Sequence, residues 1–210
     1  MSPLTILSPY ENYPPRWSVF TTGVNIFGVE SYGFVEPVGE VNRFAARYRA
    51  AKCFREVVFD GVTIDTADGY SALCQILLVY SAFEHLLRCL GIQQNNAESL
   101  LDGAETDRVL RKLRRLNGQR ELFAAIRSYL NPQHQRQIDE HIAGRLCNPF
   151  YLASSIRHAF AHGKLTANPA NAPQTSVATV SRYLSRVLMS VMDREFERRM
   201  TEFTAGLEPS

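Results

Sequence analysis

Residues 65–91 read DTADGYSALCQILLVYSAFEHLLRCLG. Leu73, Ile76, Leu77, Leu78, Val79, Phe83, Leu86 and Leu87 recur at threes and fours and also fill the positions between, so a helix built from them is apolar nearly all round. A helix without a polar face belongs in the middle of a bundle, where every side meets another element. Asp65 and Thr66 offer side-chain oxygens as N-caps, and Gly91 supplies the stop after Leu90.

Outward from this helix the chain continues in helical period. Upstream, Val41, Phe44, Ala45, Tyr48, Ala51 and Phe54 predict a helix over 41–59 that ends at Gly61. Downstream, a loop from Asn95 leads to a short basic helix over 106–116, ended by Gly118. An amphipathic piece over 121–130 stops at Pro132, and a polar helix over 132–145 follows. Asn148-Pro149 pairs an N-cap with a proline at the first helical position, opening a helix that closes at Gly163. The last helix spans about 175–203, with Val180, Leu184, Val187, Leu188, Val191 and Phe196 on its apolar side. The fold class is therefore all-α, a bundle of four to five longer helices over 42–207. Residues 1–41 differ: five prolines and an aromatic-rich stretch from Trp17 to Phe34 predict an N-terminal arm. Val24, Ile26, Phe27, Val29, Tyr32 and Phe34 give that arm one or two short β-strands, and its apolar content predicts that it docks on the bundle.

The chain has 210 residues, 45% hydrophobic and 21% charged, which excludes wholesale disorder. A net charge of +2 identifies no polyanionic partner by itself, although the basic residues are 20 arginines and 3 lysines. Arginine presents a planar fork to phosphate or carboxylate. Cys53, Cys74, Cys89 and Cys147 form no C-x-x-C pair, which argues against a disulfide framework or zinc knuckle and for a reducing compartment. The amino terminus has neither a basic n-region nor a long apolar run, and the apolar run around Ile76–Val79 is too short to span a bilayer. The expectation is a cytoplasmic protein with no membrane partner.

Residues 154–164 read SSIRHAFAHGK and hold two of the five histidines, His158 and His162. Arg157 and His162 have four residues between them, near the end of a late helix. Arg136/His141 and Arg127/His134 have comparable spacing, but the first lies in the polar stretch QHQRQIDEH, which reads as a solvated helix face, and the second straddles Pro132. Arg157 and His162 stand among small and apolar residues, where polar groups need partners. Here the sequence resembles the HEPN superfamily, α-helical domains marked by Arg, four to six residues, then His. Glu84 in the apolar helix matches an acidic residue that recurs near that motif. His158 departs from the Asn or Asp that often follows the motif arginine.

The resemblance implies a metal-independent endoribonuclease that cuts RNA by 2′-hydroxyl attack, leaving a 2′,3′-cyclic phosphate and a 5′-hydroxyl, with no cofactor. Arg157 and His162 would be catalytic, with His158 and Glu84 in support. It also implies a homodimer that joins two Arg/His pairs in one cleft, and a role as a toxin or defence effector restrained by an antitoxin or other regulatory protein. The chemistry suits the residue types: imidazole exchanges protons near neutral pH, and guanidinium stabilises charge on phosphate oxygens. The alternative is a non-catalytic HEPN-like module that binds RNA, nucleotide or a protein partner.

Structural readings of the same residues stand alongside. Arg157 can pair with Glu84, His162 can sit at the negative end of a helix dipole, and Glu84 can pair with Arg88 one turn on. His158 and His162 also have the H-x-x-x-H spacing of zinc helices, with Glu84 as a third ligand, but Ala159 replaces the glutamate of the zincin motif and the expectation is no metal. His85, His134 and His141 read as surface or packing residues. Arg108, Arg111, Lys112 and Arg115 recur at threes and fours as a basic stripe, and with Lys164 they form the expected RNA-binding set.

Overall fold

A computed structural model describes residues 10–173 and 175–207. Among them are eight α-helices and two 3-10 turns. Helix α1 is Trp17–Phe27, α2 Val38–Cys53, α3 Ile64–Cys89 and α4 Gly103–Arg114; α5 is Gln119–Arg127, α6 Pro132–Ile142, α7 Pro149–Ala161 and α8 Ser176–Gly206. The 3-10 turns are Glu30–Tyr32 and Gln94–Leu100.

Helix α3 is the centre of the bundle and packs against α2, α7 and α8. Leu73, Ile76, Val79 and Phe83 are fully buried around it. By length and composition α3 is apolar enough to cross a membrane, a test that the core helix of a bundle also passes, and most of its apolar window is buried by the rest of the bundle. It starts two residues earlier than expected: Thr63, not Asp65 or Thr66, is the N-cap, its side chain accepting from the Thr66 amide at 3.3 Å. Asp65 then sits in the first turn, where the helix dipole favours a carboxylate.

Helix α2 ends at Cys53 rather than running to Phe59. Phe54 turns extended, and the Val57 amide donates to Ser71 Oγ at 3.0 Å, so the β-branched pair Val57-Val58 lies along α3 outside any helix. The expected cap Asn148 is in place on α7, while α4 begins at Gly103, ahead of the expected 106. Asp102 and Glu105 form a reciprocal capping box on α4, Asn131 caps α6 and Asn148 caps α7.

The N-terminal arm is helical, and no strand occurs among the described residues. Alternating apolar residues suggested period two, but the buried positions are Trp17, Phe20 and Val24, spaced three and four apart on one face of α1. Ile26, which an inward-facing strand would bury, is 75% exposed. Trp17 packs on Phe20 and Phe196 with ring centroids 5.0 and 5.5 Å apart, and Phe34 and Phe44 close on Phe196 from the other side. The arm and the bundle thus share one core.

All four cysteines are free. Burial pushes the Cys89 and Cys147 thiols up to about 12, so they act as small apolar groups.

Candidate functional site

Helix α7 is seated by Asn148, whose side chain accepts from the Phe150 amide, and by Pro149 in its first turn. Phe150, Leu152, Ala153 and Ile156 are buried along the helix. At its other end His162 is the C-cap, Gly163 adopts φ +67°, and the Lys164 amide returns to the Ala159 carbonyl at 2.8 Å. Only glycine turns the chain this way without strain, so Gly163 lets the helix stop with His158 and His162 at its edge.

Arg157 reaches α3. Its Nη2 donates to Glu84 Oε2 at 3.0 Å, and its guanidinium lies over the Tyr80 ring, 5.6 Å from the centroid. Glu84 therefore pairs with Arg157 and not with Arg88, which binds Glu36. The Arg157 side chain is 28% exposed, so this end of the guanidinium is open to solvent while Nε is buried without a partner.

The histidines form a file on the adjacent face of α7. The His162 ring lies 4.3 Å from that of His158, and the His158 ring lies 6.1 Å from that of His134 on α6. The file runs from solvent inward: His162 is exposed, His158 half-buried and His134 buried. Burial, followed by the charges of His162 and Arg157, holds His158 below the ordinary histidine range, so it is uncharged at neutral pH. Burial holds His134 lower, at about 4.

His134 is fixed from both sides. Asn131 Oδ1 already accepts from the His134 amide and lies 2.9 Å from Nδ1, so Nδ1 carries the ring proton. Nε2 then accepts from Ser154 Oγ at 3.0 Å. Tyr151 packs edge-on against the same ring. Sequence reasoning set His134 aside as a packing residue, yet it anchors the inner end of the file. Its Asn131 partner, three residues away at the N-cap, was visible in the sequence; Ser154, twenty positions on, was not.

Thus two pairs, Arg157 with Glu84 and His158 with His162, lie toward the C-terminal end of α7, and the Arg157 charge is felt at His158. Arg157 and His162 share no hydrogen bond, and His158 stands between them. Among the described residues no group of three His, Cys, Asp or Glu side chains is arranged to hold a metal ion. His141, read as part of a solvated face, is buried: its Nε2 meets Gln119 Oε1 at 2.7 Å, and burial with the Arg114 and Arg120 charges holds it at about 4. His85 is likewise buried, between Arg47 and the Glu40 carbonyl.

Of the expected RNA-binding set, two residues share a groove. Arg108 and Lys112 line a groove between α4 and α8. Arg111 is tied to Asp107 at 2.7 Å, and Arg115 is exposed at the end of α4. Lys164 stands apart, its Nζ over the Tyr129 ring. Comparison with protein-family models, curated protein sequences and solved structures finds no match.

Proposed function

We propose that the protein is a metal-independent endoribonuclease of HEPN-like type. The observation that carries this reading is that a partly exposed guanidinium, Arg157, and two imidazoles in ring contact, His158 and His162, fall within six residues at one helix end. Arg157 stabilises charge on the phosphate oxygens. His158, uncharged at neutral pH, accepts the proton of the attacking 2′-hydroxyl, or His162 does so and His158 holds it in place. Glu84 fixes the guanidinium through Nη2. Bond making between the 2′-oxygen and phosphorus expels the 5′-oxygen, which takes up a proton and leaves a 2′,3′-cyclic phosphate.

In-line attack places the entering and departing oxygens on opposite sides of phosphorus, each needing its own hydrogen bond of about 2.8 Å. Two rings 4.3 Å apart serve one side. A homodimer supplying a second Arg/His pair would serve the other, and an enzyme of this kind acts as a toxin or defence effector held by a regulatory protein. The alternative, a binding module, is favoured by one observation: Glu84 already occupies the guanidinium that a scissile phosphate would need.

Purified protein incubated with mixed RNA in EDTA separates the two. Cleavage with cyclic phosphate ends is expected, falling at least 100-fold, a typical loss for an acid–base group, in folded His162→Ala and Arg157→Ala. Intact RNA at high enzyme, with wild type folded and dimeric, selects the binding module. The cleavage rate should rise from pH 5 to pH 7 as His158 loses its proton, with the acid limb centred below the ordinary value of about 6.5. An acid limb unchanged in His158→Asn would remove His158 from the proton transfer.

A further inference from the structure

Four of the five arginines on α8 are bound to carboxylates: Arg182 to Asp68, Arg194 to Glu105, Arg198 to Glu195 and Glu202, and Arg199 to Glu195. Arg186 is the exception. Among the described residues its one hydrogen bond runs back to the Arg182 carbonyl of its own helix, at 3.4 Å, and its side chain is exposed. Across a groove of about 230 Å³ it faces Arg108 and Lys112 of α4, neither of which has a carboxylate partner. Lys112 instead lies over the Tyr183 ring. The one acid lining this groove, Glu105, is engaged by Arg194.

Arg186 also lines a second depression, of about 440 Å³, together with Arg55, Gln75 and Arg182. Arg55 has no carboxylate partner either; it bonds only the Lys52 carbonyl. Two adjoining hollows therefore share Arg186 and hold four exposed cations with no carboxylate partner, Arg55, Arg108, Lys112 and Arg186, and among the described residues no free carboxylate lines either hollow. Like charges gathered this way repel one another, and an external polyanion relieves that repulsion.

We infer that this strip across α4 and α8 tracks the sugar–phosphate backbone of single-stranded RNA. It rests on the ribonuclease reading for the identity of the polyanion, and none of its residues belongs to the Arg157–His162 cluster. A line of fixed cations neutralises successive phosphates and releases counterions, independently of base sequence. The apolar floor of Val109, Val187 and Val191 accepts the faces of the riboses, and the one ring in the groove, Tyr183, is buried beneath Lys112 and closed to stacking bases, so the strip holds RNA without reading it.

The test uses full-length His162→Ala protein and a fluorescein-labelled 20-residue oligouridylate, with anisotropy measured from 50 to 300 mM salt. The combined substitution Arg108→Gln/Lys112→Gln/Arg186→Gln should flatten the slope of log affinity against log salt by about 2, at about 0.7 per lost single-strand contact, and weaken binding about tenfold at moderate salt. Arg111→Gln, already neutralised by Asp107, should change the slope by less than about 0.3. An unchanged slope in the folded triple variant, or no binding at 50 mM salt, overturns the inference. So does equal capture of a labelled oligoglutamate that is lost in the same variant, which would make the groove a dock for an acidic protein. Product mapping with wild type on the same oligonucleotide keeps the two ideas apart: cleavage with an unchanged slope removes only the strip, and tight salt-dependent binding without cleavage removes only the nuclease.

Discussion

His134 and His141 are neutral because nothing around them welcomes a charge. Each ring has lost its water to burial, and each has basic neighbours, His158 with Arg157 for the first and Arg114 with Arg120 for the second. Folded, both titrate at about 4; unfolded, a histidine titrates near the ordinary value of about 6.5. Between those limits the unfolded chain binds more protons, so stability is complete above about pH 6.5 and drains away as pH falls toward 4. Each histidine should remove about 2 kcal/mol at pH 5. Urea midpoints at pH 7 and pH 5 measure the loss, and His141→Gln should shrink it; equal midpoints at the two pH values in wild type would contradict this account. The same residues mark where sequence reading stops. The Arg157–Glu84 pair is among the readings the sequence leaves open. The 2.7 Å contact between His141 and Gln119 joins residues 22 apart, which no local pattern encodes.

Helix boundaries follow caps more closely than periodicity does, and the elements misread from sequence are those whose caps or partners are distant. The arm resembles strands when its apolar residues are counted in sequence order. It is helical because Trp17, Phe20 and Val24 have a prebuilt surface to cover, Phe196 of α8 and its aromatic neighbours. Trp17 is the only tryptophan in the chain, so its fluorescence reports the docking of α1. Because arm and bundle share a core, urea unfolding followed by tryptophan emission and by far-ultraviolet dichroism should coincide. An earlier fluorescence transition would mean that the arm leaves first. Phe196→Ala removes the ring on which Trp17, Phe34 and Phe44 converge and should cost about 3–5 kcal/mol, read as a lower urea midpoint.

At the scale of the whole molecule, central α3 and long α8 form the frame, and the chain between them returns to it through α7. One glycine locks that return. Gly118 has φ +70°, and a β-carbon there would stand 2.6 Å from Pro173 and 2.7 Å from Ser176, at the entry to α8. Gly118→Ala should therefore lower stability by about 1–3 kcal/mol, measured as a drop in Tm, through left-handed strain and overpacking together. The layout of charge also belongs to this scale. Arg182, Arg186 and Arg194 recur at intervals of four and eight, a row readable from the sequence alone. That α4 would lay Arg108 and Lys112 opposite it depends on packing between helices about 75 residues apart.

Arg16, at the foot of α1, donates to Thr201 at 2.7 Å and Thr204 at 3.3 Å, near the end of α8. The two ends of the described chain are therefore tethered side by side. Tension applied through them would peel α1 from α8 one contact at a time, as a zipper opens, instead of shearing a long row of contacts at once. Such a molecule yields to a small pull at its margin, and the load reaches the α3–α7 end only after the arm has come away.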